Sequence, residues 1–262
     1  MAVANQFRNW RWKIYQGEAQ LDLDRSRLIG VFCDFAEKLR DNDEVVIFYT
    51  GHGWEVEAEP FLYPTDASRD NTDTTKGPEF PSSFAINCHS NFGSGPVSLH
   101  RLLALFPARL AKLIVFYDAC RGRGDGVTAD GKPMKAGASS AAIQAIRATL
   151  PSNLARVAAF SFATSPGQEA SAGEKRSPYV DAFLFGAQSE TNLVGLLNKI
   201  SNRSYSRYGQ SVDFQGLPDL NYWIGPKPRV VPPDRPPPGV TSKAPPPQVP
   251  APQPSHPLQT PP

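Results

Sequence analysis

Apolar positions in this chain fall into two kinds of pattern. "DEVVIFYTGHG" and "AKLIVFYDAC" are continuous apolar runs closed by polar or glycine-rich turns, and "ARVAAFSFATS" is a third of the same shape. Runs of this kind predict parallel strands buried on both faces. "DRSRLIGVFCDFAEKLRD" instead places Leu28, Val31, Phe32, Phe35 and Leu39 on one face of a helix. "WKIYQG" reads as a short strand, "WEVEAEPFLYPTDA" as a hairpin and "VSLHRLLALF" as a short helix. Helices are also expected around residues 141–150 and 179–200, with a terminal strand near "NYWIG". The alternation predicts an α/β fold, a mostly parallel sheet flanked by helices. In such sheets ligands bind beyond the carboxyl ends of the strands, where His52, Cys120 and "TSPGQEA" fall.

Composition divides the chain. Of its 27 prolines, 16 lie between Gly225 and Pro262, so residues 1–224 are expected to form one domain and 225–262 a disordered proline-rich tail. Such a tail is either a solvated spacer or a ligand for an aromatic-lined groove on a partner. The net charge of +2, from 27 basic and 25 acidic side chains mixed along the chain, offers no basic stripe for nucleic acid. No apolar run approaches the roughly 18 residues of a membrane span, and the basic N-terminal stretch has no apolar signal core. Three cysteines, Cys33, Cys88 and Cys120, are too few for a disulfide framework and leave at least one free thiol. Together these features predict a soluble cytoplasmic protein in a reducing compartment. A periplasmic or secreted location is expected instead if the true start lies upstream and carries a signal.

Cys120 and His52 stand at equivalent strand ends, and an imidazole beside a thiol is the common means of drawing off its proton. The glycines flanking His52 leave room for substrate, and the N–H groups of Gly53 and Cys120 are candidate oxyanion donors. Each residue also has a plainer reading, Cys120 as a small buried hydrophobe and His52 as a satisfied polar group. His89, beside Cys88 in a loop, His100 on a half-exposed helix and His256 in the tail are weaker candidates. Asp66, Asp70 and Asp73 form an acidic loop whose spacing matches no defined calcium site, so no cofactor is expected and calcium is only an alternative. The loop carrying Arg121, Arg123, Lys132 and Lys135 reads as either an autocleavage segment or a solvated one.

"FYTGHG" followed by "DACRGRG" resembles the caspase-like cysteine peptidases, in the branch that holds metacaspases, paracaspases and bacterial orthocaspases. The resemblance runs from about Trp12 to Gly225. Asp118 stands where the caspase signature has Gln, and the histidine lies 68 residues upstream of the cysteine rather than about 50. The resemblance implies His52 as general base and acid and Cys120 as nucleophile, in a three-layer αβα fold lacking the family's first strand. On an extended segment Asp118 projects to the same side as Cys120, so its carboxylate is expected to line the S1 pocket and attract Arg or Lys at P1. Asp118 also fits a helix cap or a loop-fixing hydrogen bond. Glu169 matches a second acid of the S1 pocket, while Ser161 and Phe162 offer backbone pairing to an extended peptide. The function expected is an endopeptidase cleaving after Arg or Lys. The alternative is an inactive caspase-like scaffold or fragment acting through protein contacts.

Overall fold

The computed structural model describes residues 1–15, 19–56, 59–67, 88, 95–107, 109–120, 158–165, 170, 176–216 and 222–227. In chain order the elements are α1 (Ala2–Asn9), α2 (Arg25–Ala36), β1 (Glu44–Thr50), β2 (Gly53–Val56), β3 (Glu59–Leu62), β4 (Val97–Ser98), α3 (Leu99–Leu103), β5 (Lys112–Asp118), β6 (Ala158–Phe162), α4 (Pro178–Ala187), α5 (Leu193–Tyr208) and β7 (Asp213–Gln215). Met1–Lys227 forms one compact unit.

The three apolar runs are β1, β5 and β6, and they lie side by side in a four-stranded sheet of order β1-β5-β6-β7. β1 and β5 pair in parallel from Glu44↔Lys112 to Thr50↔Asp118, and β5 and β6 pair in parallel from Leu113↔Ala158 to Tyr117↔Phe162. Only β7 runs antiparallel, against β6.

Residues of β5 alternate between the two faces of the sheet and meet apolar helices on both, which is why the run is apolar throughout. Leu113, Val115 and Tyr117 pack with Leu28 of α2 and with Leu99, Leu102 and Leu103 of α3. Ile114 and Phe116 pack with Phe7 of α1, with Tyr179, Ala182 and Phe183 of α4, and with Leu196, Leu197 and Ile200 of α5. Phe116, fully buried, has ring centroids of Phe183 at 5.3 Å, Phe48 at 5.6 Å and Phe7 at 6.5 Å around it. The result is a mostly parallel sheet between helical layers, an α/β fold.

The predicted hairpin forms as β2 and β3, and β4 joins it to make a second, antiparallel sheet of order β2-β3-β4. The predicted helix after it keeps only Leu99–Leu103, started by Ser98, whose hydroxyl accepts the Arg101 N–H at 3.2 Å.

Several elements differ from expectation. Residues 12–15 join no described strand because their rings are taken up by helices. Trp12 meets Phe7 at 6.4 Å and donates its indole N–H to Ile224 C=O at 2.7 Å, while Tyr15 lies 5.0 Å from Phe35. The helix expected over 179–200 is two helices. Glu190 accepts the N–H groups of Thr191 and Asn192, both at 3.0 Å, and Asn192 caps Gly195 at 3.1 Å, which restarts the chain as α5. Near "NYWIG" there is only an isolated bridge, Trp223 to Asn192, and the last strand of the main sheet is β7. The helix expected over 141–150 lies outside the described residues.

Cys33 of α2 is disulfide-bonded to Cys88, with Cα atoms 5.6 Å apart, a bond at odds with the expected reducing compartment, and Cys120 is the free thiol that the odd cysteine count requires. A spacing of 55 residues conceals such a pair, because only the tertiary fold brings α2 to the segment after β3. No helix of the described residues is long and apolar enough to cross a membrane.

Candidate active site

The last register pair of β1 and β5 is Thr50↔Asp118, and the Gly51 N–H extends the ladder to Asp118 C=O at 3.1 Å. His52 and Cys120 each lie two residues beyond that pair. Adjacent strands run roughly 4.8 Å apart, so the equal offset brings both residues to the same carboxyl edge of the sheet. The His52 side chain is exposed and Cys120 is half-buried, the one free cysteine of the three. The sulfur of Cys120 accepts the backbone N–H of Ala170 at 3.2 Å and lies 3.7 Å from the Ala170 carbonyl oxygen.

Gly53 opens β2 opposite Leu62, and the neighbouring ladder bond runs from Tyr63 N–H to His52 C=O at 3.0 Å. That bond makes Gly53–Leu62 a non-hydrogen-bonded pair, so the Gly53 N–H is directed away from β3. Its backbone also approaches β5 closely. A Cβ at this position would overlap the Tyr117 hydroxyl and stand 2.8 Å from the Ala119 Cβ and 3.0 Å from Phe61 C=O. Tyr49 and Tyr117, on the same face of the sheet, reach up to this hairpin through their hydroxyls. Burial pushes Tyr49 up to about 12, so it remains a neutral donor near neutral pH.

Asp118 does not face an open cleft beside Cys120. Strand geometry stops at Asp118, the chain bends at Ala119, and the Asp118 side chain turns inward with the residue 3% exposed. Its Oδ2 accepts the Thr50 hydroxyl at 2.9 Å and the Ser177 hydroxyl at 2.5 Å. Ser177 in turn caps α4 by accepting the Val180 N–H at 3.0 Å. Burial raises the Asp118 pKa above the ordinary carboxylate value, against the lowering effect of the two hydroxyls. Among the described residues no lysine or arginine pairs with it. Through the two hydroxyls the carboxyl joins the ends of β1 and β5 to the start of α4.

Ser161 is placed otherwise than expected. It pairs with Phe116 on one edge and Phe214 on the other, which leaves no free strand edge for a peptide. Its hydroxyl accepts Tyr179 Oη at 2.6 Å, and the residue is 2% exposed. Phe162 is likewise paired on both sides, to Tyr117 and Asp213. β6 is an inner strand, a fact its own residues do not reveal. Glu169 lies outside the described residues, as do His89, His256, Asp70, Asp73, Arg121, Arg123, Lys132 and Lys135.

Asp66 Oδ1 accepts the Arg25 N–H at 2.8 Å at the start of α2, whose cap is Asp24, accepting the Arg27 N–H at 2.8 Å. His100, expected half-exposed, is buried at 8%, and burial pushes its pKa down to about 4. No group of three or more potential metal ligands occurs among the described residues.

The sequence reading missed the partners of Asp118. Ser177 carries a recognisable signal, a serine directly before a proline at a helix start, but nothing local ties that cap to Asp118. Tyr49 and Tyr117 were read only as strand formers.

A thiol and an imidazole thus stand at neighbouring carboxyl ends of a parallel sheet, where ligands bind in α/β folds, with glycines on both sides of the imidazole. The family model described as "Caspase domain" matches residues 2–212, most of the chain, and the protein belongs to that family of cysteine peptidases. A search of curated proteins found no match.

Proposed function

We propose that the chain is a cysteine endopeptidase of the metacaspase, paracaspase and orthocaspase branch, cutting peptide bonds after Arg or Lys through His52 and Cys120. His52 takes the thiol proton as the Cys120 sulfur attacks the scissile carbonyl carbon, giving a tetrahedral oxyanion. The N–H groups of Gly53 and Cys120 donate hydrogen bonds to that oxyanion, and the non-hydrogen-bonded position of Gly53 in its ladder supports the assignment. Collapse breaks the C–N bond, with the proton passing from His52 to the leaving amine. Water activated by His52 then cleaves the thioester, releasing the carboxylate product and restoring the thiol. These steps balance without a cofactor.

The observation that carries the P1 preference is Asp118, a buried carboxyl with no described cation beside it and an upshifted pKa, two residues before the nucleophile. An Arg or Lys side chain would supply the missing charge, in a bidentate pair or as a point charge. Because Asp118 is 3% exposed, productive binding requires the P1 side chain to displace what covers it. Glu169 is the second acid proposed for that pocket, and the proline-rich tail is the segment proposed for a protein partner.

The test is hydrolysis of peptides with Arg, Lys or Asp at P1 by the wild type, Cys120→Ala and Asp118→Asn. Cleavage after Arg and Lys that disappears in Cys120→Ala and weakens selectively in Asp118→Asn is expected. A folded wild type with no Cys120-dependent cleavage after a basic residue overturns the proposal and leaves a scaffold acting through protein contacts.

A further inference from the structure

The turn that carries His52 rests on two tyrosines of the sheet below it. Tyr49 and Tyr117 are register partners on β1 and β5, and their rings stack with centroids 5.5 Å apart and planes 28° apart. Each hydroxyl ends on a carbonyl of the chain around β2 and β3. Tyr49 Oη donates to His52 C=O at 2.6 Å, and Tyr117 Oη donates to Phe61 C=O at 2.6 Å. Tyr49 Oη also accepts the Tyr63 N–H at 3.3 Å, the same N–H that reaches His52 C=O at 3.0 Å.

The two glycines around His52 fit this support. A Cβ at Gly51 would stand 2.9 Å from Tyr49 Oη, and one at Gly53 would overlap the Tyr117 hydroxyl. A larger residue on either side would force the turn and the hydroxyls apart or displace one of them. The His52 imidazole itself is exposed and receives no hydrogen bond from a described residue. The contact that holds this residue is at its backbone, through the carbonyl that accepts the Tyr49 hydroxyl.

We propose that Tyr49, backed by Tyr117, is a positioning residue for the general base, fixing the His52 backbone so that the imidazole meets Cys120. The inference rests on the reading of His52 and Cys120 as a base and nucleophile pair. It assigns to a tyrosine below the turn the orienting task that other base and nucleophile pairs give to a third side chain contacting the imidazole.

Tyr49→Phe keeps the stacked ring and removes only the hydroxyl. Two measurements on the full chain separate this inference from the peptidase reading. The first is the rate at which iodoacetamide alkylates Cys120, the one free cysteine, across pH 5 to 9; it needs no substrate. His52→Ala should lower the rate near neutral pH, and Tyr49→Phe should move the profile in the same direction. The second is kcat and KM on an Arg-P1 peptide. A displacement of the base on the order of 1 Å predicts a kcat lower by roughly 10- to 100-fold with KM within about twofold.

If the wild type hydrolyses no peptide, the peptidase reading fails, and the alkylation profiles alone decide the inference. A folded Tyr49→Phe with the wild-type alkylation profile overturns it. So does a His52→Ala profile identical to wild type, because there is then no imidazole–thiol coupling to position. Tyr117→Phe, lacking the hydroxyl beneath Gly53, is the second variant should Tyr49→Phe fold poorly, and the same shifts are expected of it.

Discussion

Acidification should destabilise this protein through His100 in a window that its burial defines. His100 sits on α3, is 8% exposed, and its Nε2 has no hydrogen-bond partner among the described residues. Burial lowers its pKa from 6.5 to about 4. The unfolded chain therefore binds a proton near pH 6.5 that the folded chain refuses until about pH 4, so stability rises with pH across that window and falls as pH drops through it. At about 1.4 kcal/mol per pH unit, the whole window is worth about 3 kcal/mol.

Asp118 acts in the opposite sense. Its raised pKa keeps a proton on the folded state above the ordinary carboxylate range, and that contribution is lost as pH rises through the folded pKa. The assay must therefore isolate His100. Denaturant unfolding of the wild type and of His100→Leu, from pH 4 to 7.5, gives two stability curves whose difference cancels every other group. The difference should slope by about 1.4 kcal/mol per pH unit between 6.5 and 4 and flatten above 6.5. Leucine keeps an apolar side chain at this buried position, on a helix whose other buried residues are Leu99, Leu102 and Leu103. Parallel curves would refute the reasoning, since they would mean that folded His100 takes up its proton as readily as the unfolded residue.

Three further outcomes are expected. Gly53→Ala forces a Cβ against the Tyr117 hydroxyl and the Ala119 Cβ, so it should cost about 1–3 kcal/mol in unfolding free energy and abolish Cys120-dependent cleavage; wild-type stability would contradict the close approach. Reducing the Cys33–Cys88 disulfide, which closes a separation of 55 residues, should lower stability by up to roughly 4 kcal/mol in the chain-entropy view. Thermal melts with and without a phosphine reductant check this, and Cys33→Ser should be insensitive to the reductant. Ser177→Ala removes both the cap of α4 and a hydroxyl from Asp118, at a cost of about 1–2 kcal/mol by denaturant unfolding, and a loss below a few tenths would count against the cap.

Much of the fold is legible along the chain because strand formation at β1, β5 and β6 is a local matter. The uninterrupted apolar runs of β5 and β6 are buried on both faces, whereas β1, at the edge of the described sheet, is only half-buried from Val46 to Tyr49; the polar ends of all three mark where the sheet stops. The same polar ends place His52 and Cys120 each two residues beyond the last register pair of β1 and β5, at one carboxyl edge of the sheet. The hairpin after Gly53 and the helix on Leu28 follow from similarly local signals.

What tertiary structure decided is everything that depends on who lies across a gap. Ser161 looks like an available strand residue until β7 takes its other edge. Asp118, two residues before Cys120, is expected on the same side, but the bend at Ala119 and the hydroxyls of Thr50 and Ser177 turn it inward. His100 appears half-exposed on a short helix, but α3 packs against β3 and β4 and the residue is buried, and Cys33 finds Cys88 only once α2 is docked. Local pattern selects strand or helix because backbone propensity and burial period are properties of neighbours in sequence. Hydrogen-bond partners, exposure and pKa are properties of neighbours in space, and those exist only after the sheet and its helices have closed.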